Sequence, residues 1–297
     1  MTNPAIGFIG LGLMGSAMVE RLQTRGHALT VLAHRSRTHV EAALAGGATE
    51  ARTARELAAR SDIVMLCMDT SAAVESRMRG PEGGIAGLRP GALVIDFGTS
   101  LPASTRALGA EVAAAGASYM DAPLGRTPAH AREGKLNIMA AGREEDFERA
   151  RPLFADLGEN VFHVGPLGAG HTLKLINNFF AMTTACAMSE AFAIADRAGL
   201  PREKLYEVMA AGPLRSGMMD FIKARAIDGK PDMLAFSITN ARKDVGYYAE
   251  MADALGIPSL MSGAAKTALG LARAEGFGDR MVPEMVDWFA KLFGGAR

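Results

Sequence analysis

Short apolar runs alternate with stretches of helical spacing over the first two-thirds of the chain. Residues 5–9, 28–32, 63–68, 93–97, 119–122, 136–140 and 161–163 read as strands, and 13–23, 37–44, 53–59, 105–115 and 144–157 as helices. Strands separated by single helices predict right-handed βαβ units on a parallel sheet. The pattern changes after Gly165-Pro166-Leu167-Gly168-Ala169-Gly170. Residues 171–198 then form one long stretch that is apolar nearly all round, which predicts a helix buried between other elements. Helical stretches follow at 202–211, 218–228, 239–255, 260–275 and 282–293. The expectation is an α/β domain over residues 1–164 and an all-α domain over 165–297.

The first strand leads into Gly10-Leu11-Gly12-Leu13-Met14-Gly15, a G-x-G-x-x-G that opens a helix. Alone the motif is weak, but between a strand and a helix each glycine has a task. The first permits the tight turn, the second admits a pyrophosphate to the backbone, and the third lets helix and strand pack closely. The helix N-terminus adds free N–H groups and the positive end of its dipole. The α/β domain is therefore expected to be a Rossmann-type dinucleotide-binding domain. After the second strand the chain reads Ala33-His34-Arg35-Ser36-Arg37, without the acid that usually holds a ribose 2′-hydroxyl. Arg35 and Ser36 suit a 2′-phosphate, so NADP is expected over NAD, with NAD still open; the alternative is a plain basic loop.

Composition narrows the function. Of 297 residues, 49% are hydrophobic and 22% charged, which excludes a disordered chain. Lys+Arg and Asp+Glu both number 32, so there is no basic excess of the kind that marks nucleic-acid binding. No uninterrupted apolar stretch of about 20 residues is present, so no membrane span is expected. The N-terminus carries no Lys or Arg before Arg21 and does not read as a secretory signal. Two distant cysteines, Cys67 and Cys186, fit a reduced, cytoplasmic setting. None of the six His has zinc-site spacing, so no metal is expected.

The chain resembles the β-hydroxyacid dehydrogenase family over nearly its whole length. Four motifs in order carry the resemblance: Ile6 to Gly15, Asp121-Ala122-Pro123, the G-A-G-H-T-L-K-L-I-N-N run from Gly168 to Asn178, and Lys243-Asp244. The resemblance implies hydride transfer between a nicotinamide and a small anionic hydroxyacid or semialdehyde. It implies Lys174 as general acid/base and Asn178 as its support. It also implies cofactor contacts at Gly10, Gly12, Leu13, Met14, Gly15, Met68, Thr99 and Lys243. The residues agree in part: Lys174 and Asn178 are i and i+4 on one helix face. A lysine in a mostly apolar helix is desolvated, which lowers its pKa toward a useful range. The alternatives are a lysine snorkelling to water, core packing for Met68, and a solvated charge for Lys243.

The family's substrate motif, D-x-P-V-S-G-G, appears here as Asp121-Ala122-Pro123-Leu124-Gly125-Arg126-Thr127. A hydroxyl is lost and a guanidinium gained, which changes the anion site. This G-R-T form resembles the sulfolactaldehyde reductase branch. By that resemblance Gly125, Arg126, Thr127 and Asn177 hold the substrate's anionic end. Arg126 paired to a carboxylate such as Glu133 is the alternative. Arg215 and Lys223 are further, weaker anion candidates, and His171 is expected to support or pack rather than react. The long helix and apolar C-terminal helices suggest a homodimer or homotetramer, with substrate in a cleft between the domains. An imine reductase-like NADPH enzyme and a non-catalytic NADP-binding module stay open, and Lys174 weighs against both.

Overall fold

The computed structural model describes residues 4–33 and 37–294. Arg35 and Ser36 lie outside the described residues. The chain divides into two compact units, Met1–Lys174 and Leu175–Arg297.

The first unit is built on a six-stranded parallel sheet. Its strands are β1 (Ile6–Ile9), β2 (Leu29–Leu32), β3 (Thr49–Ala51), β4 (Ile63–Leu66), β5 (Leu93–Asp96) and β6 (Ser118–Asp121), in the order β3-β2-β1-β4-β5-β6. Helices α1 (Leu13–Thr24), α2 (Thr38–Ala45), α3 (Ala54–Ala59), α4 (Ser71–Met78) and α5 (Pro102–Ala114) connect them. Every position of β1, β4 and β5 is buried. Along β4, Ile63 and Met65 join one core cluster and Val64 and Leu66 the other, because alternate side chains enter opposite faces and both faces are covered. The strand order reverses between β1 and β4, and ligands of such sheets bind outside the carboxyl ends of the strands at that point.

A second sheet holds β7 (Leu124–Gly125), β8 (Leu136–Ala140) and β9 (Gly158–His163), with α6 (Pro128–Glu133) and α7 (Glu144–Leu157). β7 runs antiparallel to β8, and β8 parallel to β9. The strand readings at 136–140 and 161–163 fall here and not in the main sheet, a distinction that period-2 spacing does not carry. β3, β7, α4 and α6 escaped the pattern reading; β3 and β7, at three and two residues, are too short to show a period.

The second unit is helical. α8 (Ala169–Arg197) begins in the first unit and runs into the second, followed by α9 (Arg202–Ala210), α10 (Gly217–Ala226), α11 (Ile238–Ala254), α12 (Leu260–Ala272) and α13 (Met285–Leu292). Ser216 and Ser237 cap α10 and α11 by accepting the backbone N–H of Met219 and Asn240. Trp288, Phe192, Leu269, Ile222 and Met285 form the centre of its core. α8 departs from the expectation of burial all round. Met182, Cys186 and Phe192 are buried, whereas Phe180 is 72% and Ile194 53% exposed. No helix among the described residues is long and apolar enough to cross a membrane.

Candidate active site

The loop after β1 has the geometry its glycines predict. Gly10 has φ +102°, a region that disfavours any side chain, and a Cβ there would meet the Cys67 carbonyl. A Cβ on Gly15 would collide with the Gly10 carbonyl oxygen. A Cβ on Gly12 would meet nothing within 4 Å, so the backbone there is open to an approaching group. Gly12 caps α1 without a side-chain bond, and the first turn of α1 carries no acid. Its leading N–H groups and dipole are thus free for an anion, and this cradle fits a dinucleotide pyrophosphate. Leu13 is 62% exposed beside the loop, and Met14 is half-buried against the core. Met68 lies against Gly10 through its side chain and against Gly98 through its carbonyl, which leaves Gly98 no room for a Cβ. It thereby joins the glycine turn to the loop that carries the half-buried Thr99. Arg37 pairs with Glu50 of β3 at 3.0 Å.

Buried polar groups gather where β5 and β6 end. Asp96 accepts the Gly98 N–H at 2.8 Å and the Ser100 hydroxyl at 3.1 Å, which shapes the loop before Thr99. Asp121 accepts the Gly168 N–H and the His171 N–H, each at 2.7 Å. These are donors at the start of α8 that the helix itself leaves unsatisfied, so Asp121 caps α8 from another element. Burial raises the Asp121 carboxyl above the ordinary aspartate value, while His171 and the two N–H groups oppose the rise. His171 is fully buried, with Nδ1 2.7 Å from the Thr105 hydroxyl and its ring 3.8 Å from Asp121 and 3.9 Å from Asp96. It ties together the ends of two strands, α5 and α8. Lys174 follows one turn later and is half-buried. Burial, with Asp96 and Asp121 nearby, holds the Tyr119 phenol well above its usual value, so it stays neutral.

The segment after Asp121 leads to Gly125, Arg126 and Thr127. Arg126 has φ +76°, and among the described residues it is the non-glycine residue in the left-handed region. Its guanidinium donates to the Lys135 carbonyl at 2.8 Å and pairs with Glu159 of β9 at 2.5 Å. The carboxylate partner is therefore Glu159, while Glu133 pairs with Lys135. Thr127 Oγ1 lies 2.8 Å from His130 Nδ1.

The second unit contributes its own polar group. Asn178 is buried and donates from Nδ2 to Asp244 at 2.6 Å, and Asn177 donates to the Asn178 side-chain oxygen at 3.2 Å. Lys243 pairs with Asp244 at 2.9 Å and lies 5.2 Å from the Tyr247 ring centre. Lys243 is thus no free solvated charge. The sequence reading named Lys243 but assigned no task to Asp244, nor to Asp96 and Thr105. An Asp that ends a buried apolar strand was the available signal for Asp96 and Asp121. Two weaker candidates are committed elsewhere: Lys223 binds Asp228 at 2.7 Å, and Arg215 stands 4.0 Å from Asp220. Burial pushes the Cys67 and Cys186 thiols up to about 12, so neither is a thiolate nucleophile at neutral pH. Among the described residues no three His, Cys, Asp or Glu side chains group as a metal site.

Residues 5–165 match the family model of the NAD-binding domain of 6-phosphogluconate dehydrogenase. Residues 168–289 match the NAD-binding model of NADP-dependent 3-hydroxyisobutyrate dehydrogenase. The chain is 32% identical over 288 residues to 3-sulfolactaldehyde reductase of Escherichia coli, covering 97% of this chain and 94% of that protein. It is 32% identical over 252 residues to 2-hydroxy-3-oxopropionate reductase of the same organism, covering 85% of each. A 3-hydroxyisobutyrate dehydrogenase of Mycobacterium tuberculosis, solved with L-serine, superposes with a TM-score of 0.86 at 25% identity, covering 97% of this chain and 99% of that one.

Proposed function

We propose, for a chain that belongs to the β-hydroxyacid dehydrogenase family and is thereby an NAD(P)-dependent oxidoreductase, that its substrate is a small anionic semialdehyde or the corresponding β-hydroxyacid. In this reading residues 1–164 hold the dinucleotide, NADP in preference to NAD, and residues 165–297 serve substrate binding and self-association. The bound nicotinamide supplies the hydride, or accepts it in the reverse direction. Lys174 gives a proton to the carbonyl oxygen as the carbonyl carbon gains the hydride, and takes it back when the alcohol is oxidised. Asp121 serves by holding the start of α8 and with it the register of Lys174. Asn178, oriented by Asp244, binds near the reacting oxygen.

The single observation that carries the substrate class is Arg126. A guanidinium stands in a left-handed backbone position that glycine occupies at lower cost, and such strain persists where a side chain is needed. Its planar fork suits a carboxylate or a sulfonate. The similarity to a sulfolactaldehyde reductase supports the sulfonate form. The test is NADPH oxidation against a panel of three- and four-carbon semialdehydes with carboxylate or sulfonate ends. Turnover with the sulfonate at the higher kcat/KM is expected. No turnover on any anionic semialdehyde overturns the reading. The cofactor preference fails separately if kcat/KM is higher with NADH than with NADPH.

Self-association rests on α8 and α12. Leu173, Ile176, Phe180 and Ile194 on α8, and Leu260 and Met261 on α12, are exposed apolar side chains that a second copy of the chain would cover. Light scattering is expected to give a dimer or tetramer.

A further inference from the structure

Apart from the residues above, the second unit carries a cationic groove between α11 and α12. Its volume is about 850 Å3, and Arg242, Lys266 and Arg273 line it together with Thr267, Gly263 and Gly270. Along α12 and into the turn that follows it, the lining recurs at 263, 266, 267, 270, 271 and 273–274, which is one helix face. Leu271 and Ala274 add apolar lining beside the two glycines. Arg242 Nε comes within 3.9 Å of where a Cβ on Gly270 would stand, and its Nη1 within 4.0 Å of the same point on Gly246. The guanidinium thus lies beside two glycines.

The charge pattern is unlike the rest of the molecule. Elsewhere most Arg and Lys side chains have carboxylate partners, such as Arg202 with Asp196 and Arg225 with Asp287. Among the described residues, Arg242, Lys266 and Arg273 form no ion pair, and no carboxylate lines the groove. Three like charges on one concave surface repel one another, a cost that an anion seated among them removes. Arg273 sits where α12 opens into a wide turn, residues 273–277, closed by Gly276 at φ +88°. Such turns are frequent at functional sites. The size suits a small molecule and exceeds a bare ion.

We propose that this groove is an oxyanion-binding site that takes the phosphate group of a small molecule, with Arg242, Lys266 and Arg273 neutralising its charge and Thr267 donating a hydroxyl. The groove is lined by residues of the second unit alone and does not depend on the proposed reaction.

The test is thermal unfolding of the full chain in inorganic phosphate and in glycerol phosphate, each against sodium chloride at matched ionic strength. The proteins are the parent, R242Q/K266Q/R273Q, and R126Q as a control for the other anion candidate. The parent and R126Q should gain about 2 °C in Tm at ten times the phosphate dissociation constant. The triple variant should lose that gain. It should also melt higher than the parent in phosphate-free, low-salt buffer, since its repulsion is gone. A gain with free phosphate marks the phosphate group itself as the ligand; a gain with the ester alone marks a larger phosphorylated molecule. A phosphate response equal to that of chloride overturns the proposal. So does a triple variant that keeps the full response.

Discussion

The Asp121 carboxylate accepts the backbone N–H of His171 at 2.7 Å, across 50 residues of sequence, and so ties the end of β6 to the start of α8. Its other oxygen takes the Gly168 N–H. An amide at 121 keeps one acceptor and sets an NH2 group against an N–H, so D121N loses one bond of the clamp. Unfolding should become easier by about 1–3 kcal/mol, the cost of an unsatisfied buried polar group. Activity should fall through kcat by about tenfold or more, because α8 carries Lys174, the proposed proton donor. The dissociation constant for NADPH, read by fluorescence quenching, should stay within about threefold. A change in cofactor affinity with kcat intact would place Asp121 in the dinucleotide site.

Lys174 is expected to be the proton donor. K174A should lower kcat by about a hundredfold to ten-thousandfold, the usual range for a lost general acid. Cofactor binding should persist. Activity within a few-fold of the parent rejects the role.

Asn178 is held by Asp244, and Asp244 also pairs with Lys243. D244A leaves the buried Asn178 amide without its acceptor, whereas D244N keeps an oxygen for it. Steady-state kinetics should therefore rank the two, with kcat in D244A about tenfold or more below the parent and D244N between them. Equal loss in both variants would show that the charge, and not the acceptor, is what matters.

R126G should separate stability from activity. Glycine relieves a left-handed backbone that costs a side chain about 1–3 kcal/mol, so the variant should melt no lower than the parent although it loses the Glu159 pair. R126Q keeps the strain and should melt lower than R126G. Both should raise KM for an anionic semialdehyde by about tenfold or more, as a lost charged contact implies. Unchanged KM would remove Arg126 from the substrate site.

Asp156 sets part of the acid sensitivity. Burial alone raises its carboxyl, but His27 at 2.7 Å and Arg25 at 2.6 Å outweigh burial and hold it below the ordinary aspartate value. A folded pKa below the unfolded one gives stability that is fully present above about pH 4 and is lost as pH falls through the folded value. D156N should therefore narrow its Tm gap to the parent as pH drops from 6 to 3. A gap that is constant over that range would mean the carboxylate's charge contributes nothing.

Much of this was legible before any coordinates. β1, β4 and β5 are short apolar runs because both faces of a parallel sheet are covered, and the glycine loop announces itself by spacing. Short elements were not legible. The two residues of β7 and the six of α6 carry no period, yet they present Arg126.

Local chemistry along the chain determined the alternating α/β unit, the helical unit and the glycine turn, since periodicity and motif spacing act over a few residues, whereas Lys174 and Asn178 stood out through the family resemblance. Tertiary structure alone decided which partners those residues have. It placed Asp121 on the start of α8, His171 between two carboxylates, Asn178 on Asp244 and Arg126 on Glu159. The physical reason is that a buried polar group needs a partner, and the chain supplies it wherever folding brings a donor or acceptor within reach. That distance in space is not written in the distance along the sequence.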